Sequence, residues 1–291
     1  MIDVPERLGW WREVPGGAEW LESLPRLVEE CARLWSLRVE PPFESGMVSL
    51  TMPVTRADGT PVVLKISFPE RESELEADAL EYLGGEGAVR LIAAERERSA
   101  LLLERAIPGT SLWEVEDEEA TSIAASVLRR LHRRRPPENH PFRVLGDEAE
   151  GWMEHLRHDW EALGRPFDEG LVEAAQTAAR ELAPTQAELV LCHQDFQGSN
   201  VLRGEREPWL AIDPKPIVGE PAFDTASLLR DRRWDIRSTT IRRRLDQLRD
   251  ELGLDRERMR GWGIVHALYW GVGSNKVEPE MVECARILES L

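Results

Sequence analysis

Hydrophobic and polar positions along this chain change their period part-way through. Between residues 18 and 37 the side chains Leu21, Leu24, Val28, Cys31 and Trp35 fall on one helical stripe, and Pro41-Pro42 ends the element. Residues 47–54 then alternate like a strand, Ala57-Asp58-Gly59-Thr60 is a hairpin turn signal, and Pro61-Val62-Val63-Leu64-Lys65-Ile66 returns. A helix over 72–83 and strands over 89–94 and 100–104 complete a small sheet with its helices. Ile107-Pro108-Gly109 breaks the pattern. Beyond it the period is mostly helical, with helices predicted over 117–134, 147–163, 168–182, 222–232, 238–252, 256–271 and 279–291. A sheet-rich first part, 1–105, followed by a helix-rich second part, 106–291, is an α+β arrangement in two lobes, joined by a hinge at about 103–108.

The helical part is interrupted once. Glu188-Leu189-Val190-Leu191-Cys192 reads as a buried strand, and Asn200-Val201-Leu202-Arg203 and Pro208-Trp209-Leu210-Ala211-Ile212 read as a hairpin around Gly204-Glu205-Arg206-Glu207. Between and after them lie Asp195, Asn200 and Asp213. An Asp, an Asn five residues on, and a second Asp after a strand-turn-strand is how a phosphoryl-transfer site is assembled. The first Asp accepts a substrate hydroxyl proton; the Asn and second Asp supply oxygen ligands for Mg²⁺, a hard cation, against nucleotide phosphates. Any one of these residues alone reads better as a polar cap on a strand end. The three together at this spacing favour the chemistry.

His193-x-Asp195-x-x-x-x-Asn200, then Ile212-Asp213-Pro214-Lys215-Pro216 and Gly219-Glu220-Pro221-x-x-Asp224, resembles the aminoglycoside phosphotransferase family of the protein-kinase-like fold. The Asp-Pro-Lys-Pro run points to its streptomycin 6-phosphotransferase and hydroxyurea-phosphotransferase branch, and the resemblance extends from about residue 45 to 229. It implies a bilobal fold, with a small β-rich lobe for the nucleotide and a larger helical lobe for the acceptor. It implies ATP as donor, Lys65 on the α and β phosphates, Glu76 as its helix partner with Glu72 as second choice, and a nucleotide-covering loop at Gly46. It places Leu103 as gatekeeper, with the Glu104 carbonyl and Ala106 amide toward adenine. Asp224 becomes a brace for the catalytic loop, although an acid opening a helix is favourable in itself. The chain departs from the pattern at Gln194, where glycine is common, at Gln197, often histidine, and in having the lone Gly46 in its covering loop.

Other residues are weighed from their surroundings. His193 is read as holding the loop, and Lys215 as touching phosphate or ordering the metal loop. Acceptor recognition is assigned to Glu220, Asp231, Trp234, Asp235, Trp262 and His266, with Trp270 close by in sequence. The chain has 11 Trp, and tryptophan serves as core as readily as binding surface. Lysine occurs only at 65, 215 and 276, so Lys65 in an apolar strand stands out, though a strand lysine is also a common surface residue.

A formal charge of −17, from 54 acidic and 37 basic residues, argues against nucleic acid and suits a cationic or polyhydroxylated small-molecule acceptor. Arg129-Arg130-Leu131-His132-Arg133-Arg134-Arg135 and Arg242-Arg243-Arg244 are read as solvated helix ends. Cys31, Cys192 and Cys284 lack paired or metal-type spacing and are expected to be buried free thiols of a reducing compartment. With neither a leader-like segment nor a membrane-length apolar run, a cytoplasmic location is expected. Three functions compete: an ATP- and Mg²⁺-dependent kinase of a streptomycin-type aminoglycoside, a kinase of an amino sugar, hydroxyurea or other metabolite, and a kinase-fold binding module without turnover. Retention of Lys65, Glu76, Asp195, Asn200 and Asp213 together disfavours the third.

Overall fold

The first apolar stripe is buried as Trp20, Leu21, Leu24, Val28 and Cys31 of α1 (Gly17–Leu34). The helix stops at Trp35, and Ser36, at φ +53°, turns the chain so that Leu37 opens a strand instead of prolonging the helix. In this computed structural model residues 2–44, 46–71, 73–273 and 275–291 are described. The chain divides into two compact units, Met1–Gly109 and Thr110–Leu291.

In the first unit the strands are β1 (Leu37–Val39), β2 (Ser49–Arg56) and β3 (Pro61–Ser67), followed by α2 (Glu76–Leu83), β4 (Leu91–Glu95) and β5 (Ala100–Glu104). They form one antiparallel sheet in the order β1-β2-β3-β5-β4. Leu50, Met52 and Val54 of β2, Leu64 and Ile66 of β3, and Leu102 of β5 pack with the α1 stripe and with Leu8 and Trp11 of a 3-10 segment, Glu6–Glu13. Each such side chain contributes about 1.5–3 kcal/mol on burial, so the sheet is a rigid mount for anything on β3.

The second unit comprises α3 (Asp117–Leu131), β6 (Arg143–Val144), α4 (Leu145–Ala162), α5 (Glu169–Leu182), β7 (Val190–Cys192), β8 (Val201–Arg203), β9 (Trp209–Ala211), β10 (Ile217–Gly219), α6 (Pro221–Asp224), α7 (Ala226–Leu229), α8 (Ser238–Leu252), α9 (Arg256–Gly271), β11 (Val272–Gly273), β12 (Lys276–Val277) and α10 (Pro279–Glu289). Helix α9 is buried from Met259 through Leu268 apart from Arg260, and packs against α4, α5, α7, α8 and α10. A helix apolar nearly all round belongs at a core, and here its last turns bring His266 and Trp270 to the loop after β7. Strand β10, not anticipated between Pro216 and Pro221, pairs antiparallel with β7 and parallel with β6. The helix expected over 222–232 is instead the two short turns α6 and α7, because Asp224, Ser227 and Arg230 are engaged in side-chain bonds with the loop that carries Asp195.

The basic runs are solvated only in part: Arg129, Arg133, Arg134, Arg135 and Arg242 are exposed, and the others are engaged in the fold. Arg130 bonds Glu207 and the Trp209 carbonyl, His132 bonds Asp224, and Arg244 is buried on Asp117. All three thiols are free and buried, and burial pushes Cys31 up to about 11, Cys284 to about 12 and Cys192 well above its ordinary value. Lys276, at the start of β12, is exposed and pairs with Glu278 at 2.7 Å. Among the described residues no helix is long and apolar enough to cross a membrane.

Candidate active site

Strand β7 delivers the chain into a run of tight turns. Asp195 N donates to His193 O at 2.8 Å, Gln197 N to Asp195 O at 3.0 Å, and Asn200 N to Gln197 O at 2.9 Å. The β8–β9 hairpin pairs Val201 with Ala211, and Ile212 N donates to Asn200 O at 2.9 Å. Asn200 and Ile212 are thus cross-strand neighbours, and Asp213 is the next residue. Lys215 N closes the loop on His193 O at 3.0 Å.

Gln194 and Asp213 are both left-handed, at φ +67° and +59°. Such backbone costs roughly 1–3 kcal/mol per non-glycine residue and persists only where its surroundings over-determine it. For Gln194 they do. Its N–H donates to Asp224 Oδ1 at 2.8 Å, its carbonyl accepts from Ser227 Oγ and His266 Nε2, and its side-chain oxygen accepts from Arg143 at 2.9 Å. Glycine is the natural residue for this turn; here glutamine occupies it because its side chain has its own anchor.

The Asp195 carboxylate is buried and surrounded by donors. Asn200 Nδ2 donates to the Asp195 carbonyl at 2.9 Å and to Oδ2 at 3.3 Å. Arg230 Nη2 reaches Oδ1 at 3.3 Å, and Lys215 Nζ lies 4.0 Å from Oδ2. Arg230 in turn donates from Nε to His266 Nδ1 at 2.8 Å, and both cations stand over the Trp270 ring, Lys215 at 4.5 Å and Arg230 at 5.0 Å. Burial, with the charges of Arg230 and Lys215, holds His266 well below its ordinary pKa against the opposing pull of the Gln194 carbonyl. It is therefore a neutral imidazole with Nε2–H on Gln194 and Nδ1 free to accept from Arg230. Burial also lowers Arg230, with Asp195 and Asp231 opposing. Arg230 was not singled out in the sequence; an arginine closing the buried run Ala226-Ser227-Leu228-Leu229 was the available signal.

Asp224 is fully buried and is the acid of the single turn α6, which it closes. It accepts from His193 N and Gln194 N, each at 2.8 Å, and from His132 Nε2 at 2.9 Å. Burial alone raises a carboxyl; the His132 bond and charge, the His193 charge and the His193 N–H outweigh it and leave Asp224 below its ordinary value. His193 Nε2 is within 2.8 Å of the Ile212 carbonyl, tying β7 to the hairpin. His132, Cys192 and Asp224 lie close enough to hold a metal, within 4.8 Å. Their bonds to one another and to the Glu220 carbonyl already account for them.

Gly198 sits between two indoles: a Cβ there would lie 2.4 Å from Trp113 and 2.6 Å from Trp234. Its N–H donates to Asp231 Oδ2 at 2.8 Å, and Asp231 also accepts from Trp113 Nε1. These contacts correct most of the acceptor assignment. Asp231 is buried under the loop, Glu220 is held bidentately by Arg258 and bonded by Trp262, Trp234 donates to the Val115 carbonyl, Trp262 is core, and His266 has both nitrogens engaged. Their hydrogen-bonding capacity is filled within the fold, which sequence position could not reveal. Asp235 alone of the six is exposed, beside Arg237.

In the first unit Lys65, on β3, meets Glu76 Oε2 of α2 at 2.6 Å, and both side chains are almost wholly buried, at 7% and 2% exposed. A buried pair of this kind is worth little to stability beside an apolar one, which makes a ligand-directed role the better account of it. Glu72 lies outside the described residues. Leu103 is buried in β5 opposite Val63, Glu104 ends that strand, and Ala106 follows. Gly46, at φ +96°, lies in the loop that leads into β2.

The oxygens of Asn200 and Asp213 suit a hard cation. Asn200 spends its amide nitrogen on Asp195, so its Oδ1 faces elsewhere, and among the described residues it takes a long 3.5 Å contact from Ser199.

Comparison with known proteins gives the family and the fold. Residues 34–277 match the family described as aminoglycoside/hydroxyurea antibiotic resistance kinase. The chain is 37% identical to streptomycin 6-kinase of Streptomyces griseus, over 99% of this chain and 97% of that one. It is 39% identical to hydroxyurea phosphotransferase of Kitasatospora aureofaciens, over 95% of this chain and 82% of that one. Among solved structures, choline kinase of Streptococcus pneumoniae superposes with a TM-score of 0.65 at 13% identity, covering 92% of this chain and 99% of that one. A thermostable aminoglycoside phosphotransferase mutant gives 0.62 at 15%, covering 91% and 98%. These two likenesses establish the protein-kinase-like fold. The chain belongs to the aminoglycoside/hydroxyurea antibiotic resistance kinase family and is a phosphotransferase acting on a hydroxyl group of a small molecule.

Proposed function

We propose that this chain transfers the γ-phosphoryl group of ATP, with Mg²⁺, to a hydroxyl of a streptomycin-type aminoglycoside. The observation that carries the reading is the gathering of Asp195, Asn200 and Asp213 by one loop and one hairpin, in a chain alignable end to end with streptomycin 6-kinase. Asp195 is the base and orienter of the acceptor hydroxyl; Arg230 and Lys215 stand against its carboxylate and hold its position. Asn200 and Asp213 would hold the metal, which when bound neutralises charge on the phosphates. Lys65, steadied by Glu76, takes the α and β phosphates under the loop at Gly46, and the backbone of Glu104 and Ala106 next to Leu103 takes adenine. The excess of acid, −17 in all, favours a cationic acceptor. His193, Lys215 and Asp224 support the loop, and Asp235 is the acceptor-side acid left available.

The test is ADP release with ATP and Mg²⁺ across streptomycin, other aminoglycosides, amino sugars and hydroxyurea. Turnover with streptomycin is expected, and its absence there with robust turnover elsewhere would overturn the assignment. Hydroxyurea is the second reading, favoured by the 39% identity to its phosphotransferase. Lys65→Met is expected to lower kcat/KM for ATP by about a hundredfold while acceptor binding is unchanged. The opposite ranking would mean that the nucleotide is held elsewhere.

A further inference from the structure

Three successive carbonyls of the loop ahead of β2 are held by side chains of the 3-10 segment Glu6–Glu13. Arg7 Nε donates to Gly46 O at 2.5 Å, Trp10 Nε1 to Met47 O at 2.7 Å, and Trp11 Nε1 to Val48 O at 3.1 Å. A 3-10 segment has three residues per turn, so Arg7 and Trp10 stand on one face with Trp11 beside them, and one short segment reaches three neighbouring acceptors.

The segment is firmly founded. Leu8 and Trp11 are buried in the core of the unit. Trp11 packs on Phe68 at 4.4 Å and edge-on to Trp20 at 5.7 Å, and Trp10 stacks on Trp11 at 4.1 Å. Where the chain turns back into α1, a Cβ on Gly17 would lie 1.9 Å from the Trp11 carbonyl, so only glycine permits the return.

In a trans peptide the C=O and the following N–H point in opposite directions. Tying the carbonyls of Gly46 and Met47 to one side therefore turns the N–H groups of Met47 and Val48 to the other. Adjacent N–H groups on one side of a bent segment form a concavity that takes anionic oxygens. A covering loop with a single glycine does not reach such a shape through glycine freedom; bonds from outside the loop impose it.

We infer that Arg7 and Trp10 are positioning residues for the nucleotide phosphates, presetting the loop through its carbonyls while touching no substrate. The inference rests on the reading of this loop as the one that covers ATP. The double variant Arg7→Met/Trp10→Phe removes two donors but keeps the ring stacked on Trp11; Arg7 is partly exposed and Trp10 is 40% exposed, so the core is undisturbed. ATP affinity by direct titration, and initial rates with ATP and streptomycin varied separately, are compared with wild type. The Kd and KM for ATP are expected to rise about five- to tenfold, with kcat, the streptomycin KM and the thermal midpoint nearly unchanged. Arg7→Lys, which keeps a donor, is expected to retain most of the affinity. Unchanged ATP affinity in the double variant overturns the inference, as does a loss spread equally over both substrates in step with the thermal midpoint. Lys65→Met run alongside separates the causes. If it weakens ATP binding and the double variant does not, the clamp alone fails; if it leaves ATP binding intact, the nucleotide reading fails and takes the clamp with it.

Discussion

Replacing Asp195 with asparagine is expected to lower turnover about a thousandfold and to leave ATP affinity at the wild-type level. In the proposed role the carboxylate serves when the acceptor hydroxyl loses its proton, and not for holding the nucleotide. Asparagine is the informative variant because it preserves shape opposite Arg230 and Lys215. Alanine would leave the Arg230 guanidinium, only 6% exposed, facing a void, and would confound chemistry with a loss of fold of about 3–5 kcal/mol. Single-turnover rates and an ATP titration decide the matter. Turnover within about tenfold of wild type would remove Asp195 from the reaction.

Asp224→Ala is the most destabilising single change expected, at about 3–5 kcal/mol, because three donors in the core lose their common acceptor. The sign with pH follows from the depressed carboxyl. The stabilisation is fully present above the ordinary carboxylate range, whose reference value is 3.8, and is lost as the pH falls through the lower folded value. Wild type and variant should therefore differ by the full amount near neutrality and converge in acid. Denaturant unfolding followed by circular dichroism at several pH values checks both the size and the trend. A constant gap at every pH would mean that packing, and not the charge, sets the effect.

The parts of this architecture legible in the sequence are those whose signals are local. Helix α8 ends in the left-handed Gly253, α9 begins on the Asp255 side-chain cap, and both run over the residues predicted as helical from the sequence. The approach of Asn200 to Asp213 was legible because it follows from hairpin register alone. What was not legible depends on partners distant in the chain. Trp113 beneath Gly198, Arg230 against Asp195, and Arg258 on Glu220 are tertiary meetings with no spacing rule. The same applies to polar residues that looked available for an acceptor: next to a catalytic motif, an acid or an indole can equally be part of the frame, and here five of six are. Gln194 shows the converse. A residue that departs from a familiar pattern keeps the unusual backbone of that pattern because Arg143, itself unremarkable in sequence, supports its side chain.

The sparing use of lysine has a practical side. Of the side-chain amines, those of Lys65 and Lys215 are 7% and 15% exposed, while that of Lys276 is 70% exposed. Coupling of an amine-reactive sensor chip or dye to a lysine side chain is therefore directed to β12, with the α-amino group as the other reactive amine, and leaves the two lysines proposed to meet phosphate largely shielded.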